Sequence, residues 1–205
     1  GAGELAFDQQ LNRLGTVDGD DGAIAFNAGT SSSSSGNLDI DGASVTFGGA
    51  ATVGSVEVLA SDNVTFEGAA TTGAVTVEAA TVNSASTPVV FEGSGNTIGA
   101  ALTVNGSNSG ENAVTVDVER GTTIEGNVSI SGAGSDIDTE ARLRFFDPQG
   151  AAPSSTIEGN VTLTRGGGTD ASQQDAVIEL DQQSGGGHSV TIAGNLNTAN
   201  QNDPD

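Results

Sequence analysis

Apolar positions along this chain come in short triplets with a polar residue at the centre, and the triplets recur. Val56-Glu57-Val58, Val75-Thr76-Val77, Leu102-Thr103-Val104, Val128-Ser129-Ile130 and Val161-Thr162-Leu163 alternate with a period of two, the signature of a strand that buries one face. Each triplet closes a longer phrase, T-[IV]-(x)-G-[NSA]-[VL]-x-[VIL], that returns six times. Thr123-Ile124-Glu125-Gly126-Asn127-Val128 and Thr156-Ile157-Glu158-Gly159-Asn160-Val161 repeat it identically. An internal repeat constrains architecture before any single residue is interpreted.

Dividing the chain at the triplets gives units 38–55, 56–74, 75–101, 102–127, 128–160 and 161–195, which lengthen from 18 to 35 residues. Three apolar anchors persist in each: the triplet, a middle run such as Val64-Thr65-Phe66, and a point just before the glycine. Polar inserts at 105–112, 131–141, 164–176 and 181–188 fall between anchors. Three short strands per turn with insertions confined to the corners predict an all-β fold, a parallel β-solenoid (β-helix) of about seven coils with growing corner loops. At ~4.8 Å per coil it would be roughly 35 Å long. Phe26, Phe47, Phe66 and Phe91 fall one per coil, and Val116 or Val118, Phe145 or Phe146, and Leu180 continue the series, which predicts an internal aromatic column. A β-sandwich also uses many short strands and glycine turns. Stacked coils, unlike sandwich strands, must each restart with the same phrase, because every position meets its own kind above and below. The expected organisation is an N-terminal strand and assembly segment at 1–16, the solenoid domain at 17–198, and a polar tail at 199–205.

Composition narrows the function. The chain has 205 residues, 31 of them Gly, and no Cys, Met, Trp or Tyr, so disulfide frameworks and thiolate metal sites are excluded. No segment approaches the roughly 20 consecutive apolar residues of a membrane-spanning helix. The opening Gly1-Ala2-Gly3 has neither an initiator Met nor a charged-then-apolar leader, which reads as a mature or excised piece of a soluble protein. Acidic residues number 27 against five Arg and no Lys, a net charge of -22, which repels nucleic acid and anionic membranes. Such charge also occurs in disordered chains, but regularly placed Val, Ile, Leu and Phe argue against disorder. Carboxylates in this excess suit a saline or cation-rich setting, where counterions offset self-repulsion.

At Gly126-Asn127-Val128-Ser129-Ile130, Gly159-Asn160-Val161-Thr162-Leu163 and Asn63-Val64-Thr65-Phe66-Glu67-Gly68-Ala69, the chain resembles the filamentous-haemagglutinin-like repeat exoproteins of bacteria. The resemblance covers roughly residues 17–198. It implies a right-handed β-helix, secretion to the cell surface or extracellular space, and a role as adhesin or matrix component. No secretion domain of that family is visible in the chain, and its acidic, Lys-free composition departs from the family.

Acids follow the middle anchor on the outside in several coils: Glu67, Glu92, Asp117 or Glu119, Asp147, and Glu179 or Asp181. Glu125 and Glu158 form a second, shorter column. Like charges stacked about 5 Å apart are unfavourable unless screened, protonated or bridged, so Ca²⁺ is an expected ligand of these columns, weighed against diffuse counterions on a solvated face. Asp18-Gly19-Asp20-Asp21-Gly22 is a further calcium candidate, although an EF-hand needs its Gly at the sixth position and here Gly22 is fifth. Gly132-Ala133-Gly134-Ser135-Asp136 holds half of a calcium-binding nonapeptide, without repetition. Both segments also read as plain turns.

A carbohydrate-active β-helix enzyme would use paired carboxylates with Arg, and Asp117, Glu119 and Arg120, or Arg142, Arg144 and Asp147, offer such groups. Local neutralisation of an acidic wall explains the same arginines, and the expectation is no enzyme. His188, in a glycine-rich corner, reads as incidental. Asn105-Gly106-Ser107, Asn127-Val128-Ser129 and Asn160-Val161-Thr162 match the N-glycosylation pattern, two of them inside the structural repeat. The leading functional expectation is an extracellular protein whose copies join head to tail into a surface or matrix filament, because neither end shows a capping element and Leu5-Ala6-Phe7 reads as a strand. The alternative is a monomeric adhesin module that grips a host or cell-surface glycan or a protein through the loops at 131–141 and 164–176.

Overall fold

The computed structural model describes residues 4–9, 11–12, 16–19, 22–31, 37–79, 89–106, 114–132, 140–146, 153–165, 176–181 and 188–200. The described residues contain strands and no helix, and every strand pairing is parallel. Three columns of strands run the length of the molecule, and the chain visits them in rotation: this is a parallel β-solenoid.

The first column stacks the triplets, with Val56 beside Val75, Val75 beside Leu102, Leu102 beside Val128, and Val128 beside Val161. The middle column stacks Phe26, Phe47, Phe66, Phe91, Val118, Phe145 and Leu180 at one register position. Val118 and Phe145 are therefore the ladder members, and Val116 and Phe146 are not. The third column, from Leu11–Asn12 through Ala51–Val53 and Asn96–Ile98 to Ser189–Ile192, is a separate sheet of eight strands. Leu5–Phe7 pairs with the strand Ala23–Phe26, and Leu11–Asn12 with Thr30–Ser31, so the stacking begins one coil earlier than the repeat phrase. Eight coils rather than about seven result, roughly 38 Å at ~4.8 Å each.

Alternation decides what is inside. In the triplets the outer two residues are buried and the centre faces out, so Val, Ile, Leu and Phe from the three columns fill one continuous core. Five rings, Phe7, Phe26, Phe47, Phe66 and Phe91, stack with centroids 4.8–5.3 Å apart and planes within 12°. Coil spacing imposes that distance, which falls within the range of favourable ring contacts.

The repeat phrase has a geometric cause. A Cβ on Gly159 would lie 2.4 Å from the Gly126 carbonyl oxygen, and one on Gly194 would lie 2.4 Å from that of Gly159. Backbones approach too closely at this corner for any side chain. The next residue, Asn, ties the corner together: the Asn160 N–H donates to Asn127 Oδ1 at 2.8 Å, and the Asn195 N–H to Asn160 Oδ1 at 2.8 Å. Two of the glycosylation-type asparagines thus spend their side-chain oxygens on an internal ladder.

Between the first and middle columns the early coils run straight through the corner as the long strands Asn37–Phe47 and Ser55–Phe66, the former pairing with a register shift between Gly42 and Ser44. Later coils split there into two strands, and register resumes across each insert, as Glu78 beside Asn105 and Val89 beside Val116 show. The inserts themselves, including most of 105–112, 131–141, 164–176 and 181–188, lie outside the described residues.

Candidate functional site

Two surface features stand out: the acid-bearing side of the middle column, and the coil at the C-terminal end of the stack.

Glu67, Glu92 and Glu119 each follow the ladder residue of successive coils. The Glu92 N–H donates to the Phe66 carbonyl at 2.9 Å and the Glu119 N–H to that of Phe91 at 3.0 Å, so these three carboxylates form a true column. Burial foremost, then the charges of Glu92 and Asp117, push the Glu119 carboxyl above its ordinary pKa, against the opposing pull of Arg120 and Arg144. Asp117 does not belong to this column. It sits two residues earlier, at the centre of its strand, only 3% exposed, and Arg144 of the next coil grips it through Nε at 2.8 Å and through Nη2. Arg144 also lies over the Phe146 ring, 5.4 Å from its centroid. Arg142 reaches Glu140 at 2.5 Å and Glu179 at 3.7 Å. The arginines of this wall are therefore engaged by its acids.

Glu125 and Glu158 are exposed on neighbouring coils, where the Glu158 N–H donates to the Ile124 carbonyl at 2.8 Å. Asp18 ends the strand Thr16–Asp18 and lies beside Asp41. Asp20, Asp21 and Asp147, and the segment 133–136, fall outside the described residues. Among the described residues no three His, Cys, Asp or Glu side chains converge as ligands of one ion. Sequence reasoning missed a depression of about 290 Å³ on the first column, lined by Thr16, Asp39, Asp41, Glu57 and Leu59 among others. It also missed a polar thread inside the third column. Asn96 Oδ1 accepts from the Ala70 N–H at 2.9 Å, and its Nδ2 donates to Thr122 Oγ1 at 3.3 Å. The Thr122 N–H donates to Ser155 Oγ at 3.1 Å, and Ser155 Oγ shares a 2.8 Å hydrogen bond with His188 Nε2. His188, expected to be incidental, is buried against Phe145, ring centroids 5.4 Å apart. Ser155 is buried as well, so the pair is a core contact with no exposed nucleophile.

At the last coil the burial pattern breaks. Phe145 is 1% exposed, and Leu180, its register partner one coil on, is 56% exposed. Val161 is 0% exposed and its partner Leu196 is 53%. Ile178, Val190 and Ile192 are only partly covered. Apolar columns buried in the preceding coils thus emerge at this end.

The chain matches no protein-family model, no curated protein and no solved structure.

Proposed function

We propose that this chain is a structural rod that lengthens head to tail with further copies of itself, as a filament at the cell surface or in an extracellular matrix. The exposed apolar columns at Leu180 and Leu196 carry this reading. Within the rod each coil covers the apolar residues of its neighbour, and the same kind of cover at the last coil would remove Leu180 and Leu196 from water. Contact of one end with the opposite end is heterologous and propagates without closing. The extracellular setting rests on the resemblance to repeat exoproteins.

Charge opposes association, since each copy carries -22. Salt shortens the reach of that repulsion to about 10 Å at 0.1 M and about 3 Å at 1 M. Ca²⁺ would act in the same direction along the Glu67–Glu92–Glu119 and Glu125–Glu158 columns. Replacing Leu180 and Leu196 together by Asp tests the reading: sedimentation at high salt should change from long particles to single rods, with the strand circular dichroism retained. Long particles from that variant would defeat it.

A further inference from the structure

Resting on the end-to-end reading, we infer a single register for the junction: Leu5 of one copy lies beside Ile178 of the next, Phe7 beside Leu180, and Val17 beside Thr198. Every internal step along the rod supports it. The first coil meets the second as Leu5 beside Ile24 and Phe7 beside Phe26, and the seventh meets the eighth as Leu143 beside Ile178 and Phe145 beside Leu180. One further step of the same lattice places Leu5–Phe7 on the strand Ala176–Asp181. The first column behaves likewise, from Val17 beside Ile40 to Leu163 beside Thr198.

The two ends are complementary in this register. Leu5 is exposed and Phe7 half-buried at one end, Leu180 exposed and Ile178 half-buried at the other. Phe7 stacks one ring face on Phe26 at 5.3 Å, and its opposite face would receive Leu180. Of the outward positions, Ala6 meets Glu179 and Thr16 meets Asn197 without like charges, whereas the same step sets Asp8 beside Asp181, a carboxylate pair that salt must screen. Inside the rod Asp39 likewise lies beside Glu57, so the lattice already holds one such pair. A slip of one residue would turn Leu5 and Phe7 outward and place Ala6 in the core.

The chain lacks cysteine, so cross-linking reads the register directly. Ala6→Cys with Glu179→Cys puts two thiols on neighbouring strands within the 4.4–6.8 Å Cα range of a disulfide. Within one copy those residues are roughly 34 Å apart, seven steps of ~4.8 Å, so any disulfide must join two copies. Ala6→Cys with Val177→Cys is displaced by two residues on the same face, about 8 Å apart, beyond disulfide reach. Mild oxidation at high salt should yield a ladder of covalent multimers from the first pair, and the second pair should lose it. Equal ladders from both, or none from either while sedimentation still shows end-to-end particles, would overturn the register and leave the assembly reading standing. Wild-type protein that sediments only as single rods would overturn both.

Discussion

Gly159 and Glu119 show what single residues do in a stacked lattice. A methyl group at Gly159 would meet backbone atoms of the previous coil at 2.4 and 2.5 Å, and backbone held on both sides by a ladder yields poorly. Gly159→Ala should therefore cost about 1–3 kcal/mol in a denaturant melt. At Gly99 the nearest atoms to such a methyl are 3.4 and 3.6 Å away, ordinary contact, and Gly99→Ala should leave the melt nearly unchanged. Glu119 behaves as a pH-dependent element. Its folded pKa is raised, by burial first and by Glu92 and Asp117 next, so the folded state binds its proton more tightly than the unfolded chain. The favourable contribution is complete below the unfolded value and is lost as pH rises through the folded one. Glu119→Gln, which mimics the protonated group, should stabilise the protein at pH 7. That advantage should shrink on acidification, as paired melts across pH would measure.

Strands and the bonds between them make the next scale. Asp117 and Arg144 join two coils across the middle column, and because Asp117 is buried, removing Arg144 leaves a carboxylate without its partner. Arg144→Met should cost about 3–5 kcal/mol, whereas Val at both positions should come close to wild type. Val90 already occupies the equivalent site one coil earlier. Triplets and the phenylalanine ladder were legible in the sequence because a period of two, repeated at each coil, leaves one face for the core. The Leu5–Phe7 coil was harder to place, since no repeat phrase surrounds it. Asp117 and Glu119 were ambiguous for a related reason: Val114-Thr115-Val116-Asp117-Val118 alternates over three apolar positions, so a slip of two residues keeps the pattern. The thread from Asn96 to His188 was hidden because its partners stand 26 and 33 residues apart and meet only once coil lengths are known. Nothing in local alternation marks a polar residue as inward when its neighbour is polar too, as at Thr122-Thr123 and Ser155-Thr156.

For the whole molecule the balance lies between core continuity and charge. Eight coils share one apolar interior, and the last of them carries Leu180 and Leu196 into solvent. A net charge of -22 sets the conditions under which those residues find a partner. Rods that join in register would extend the core from copy to copy with the same coil spacing, so the filament would be one solenoid wide. The most direct test is electron microscopy of the purified protein at low and high salt, with Ca²⁺ and again after chelation. The prediction is unbranched filaments of single-solenoid width at high salt, with a repeat near ~4.8 Å along the axis, and shorter particles when salt is lowered. Isolated rods of roughly 38 Å, the length of eight coils, in every condition would contradict end-to-end assembly.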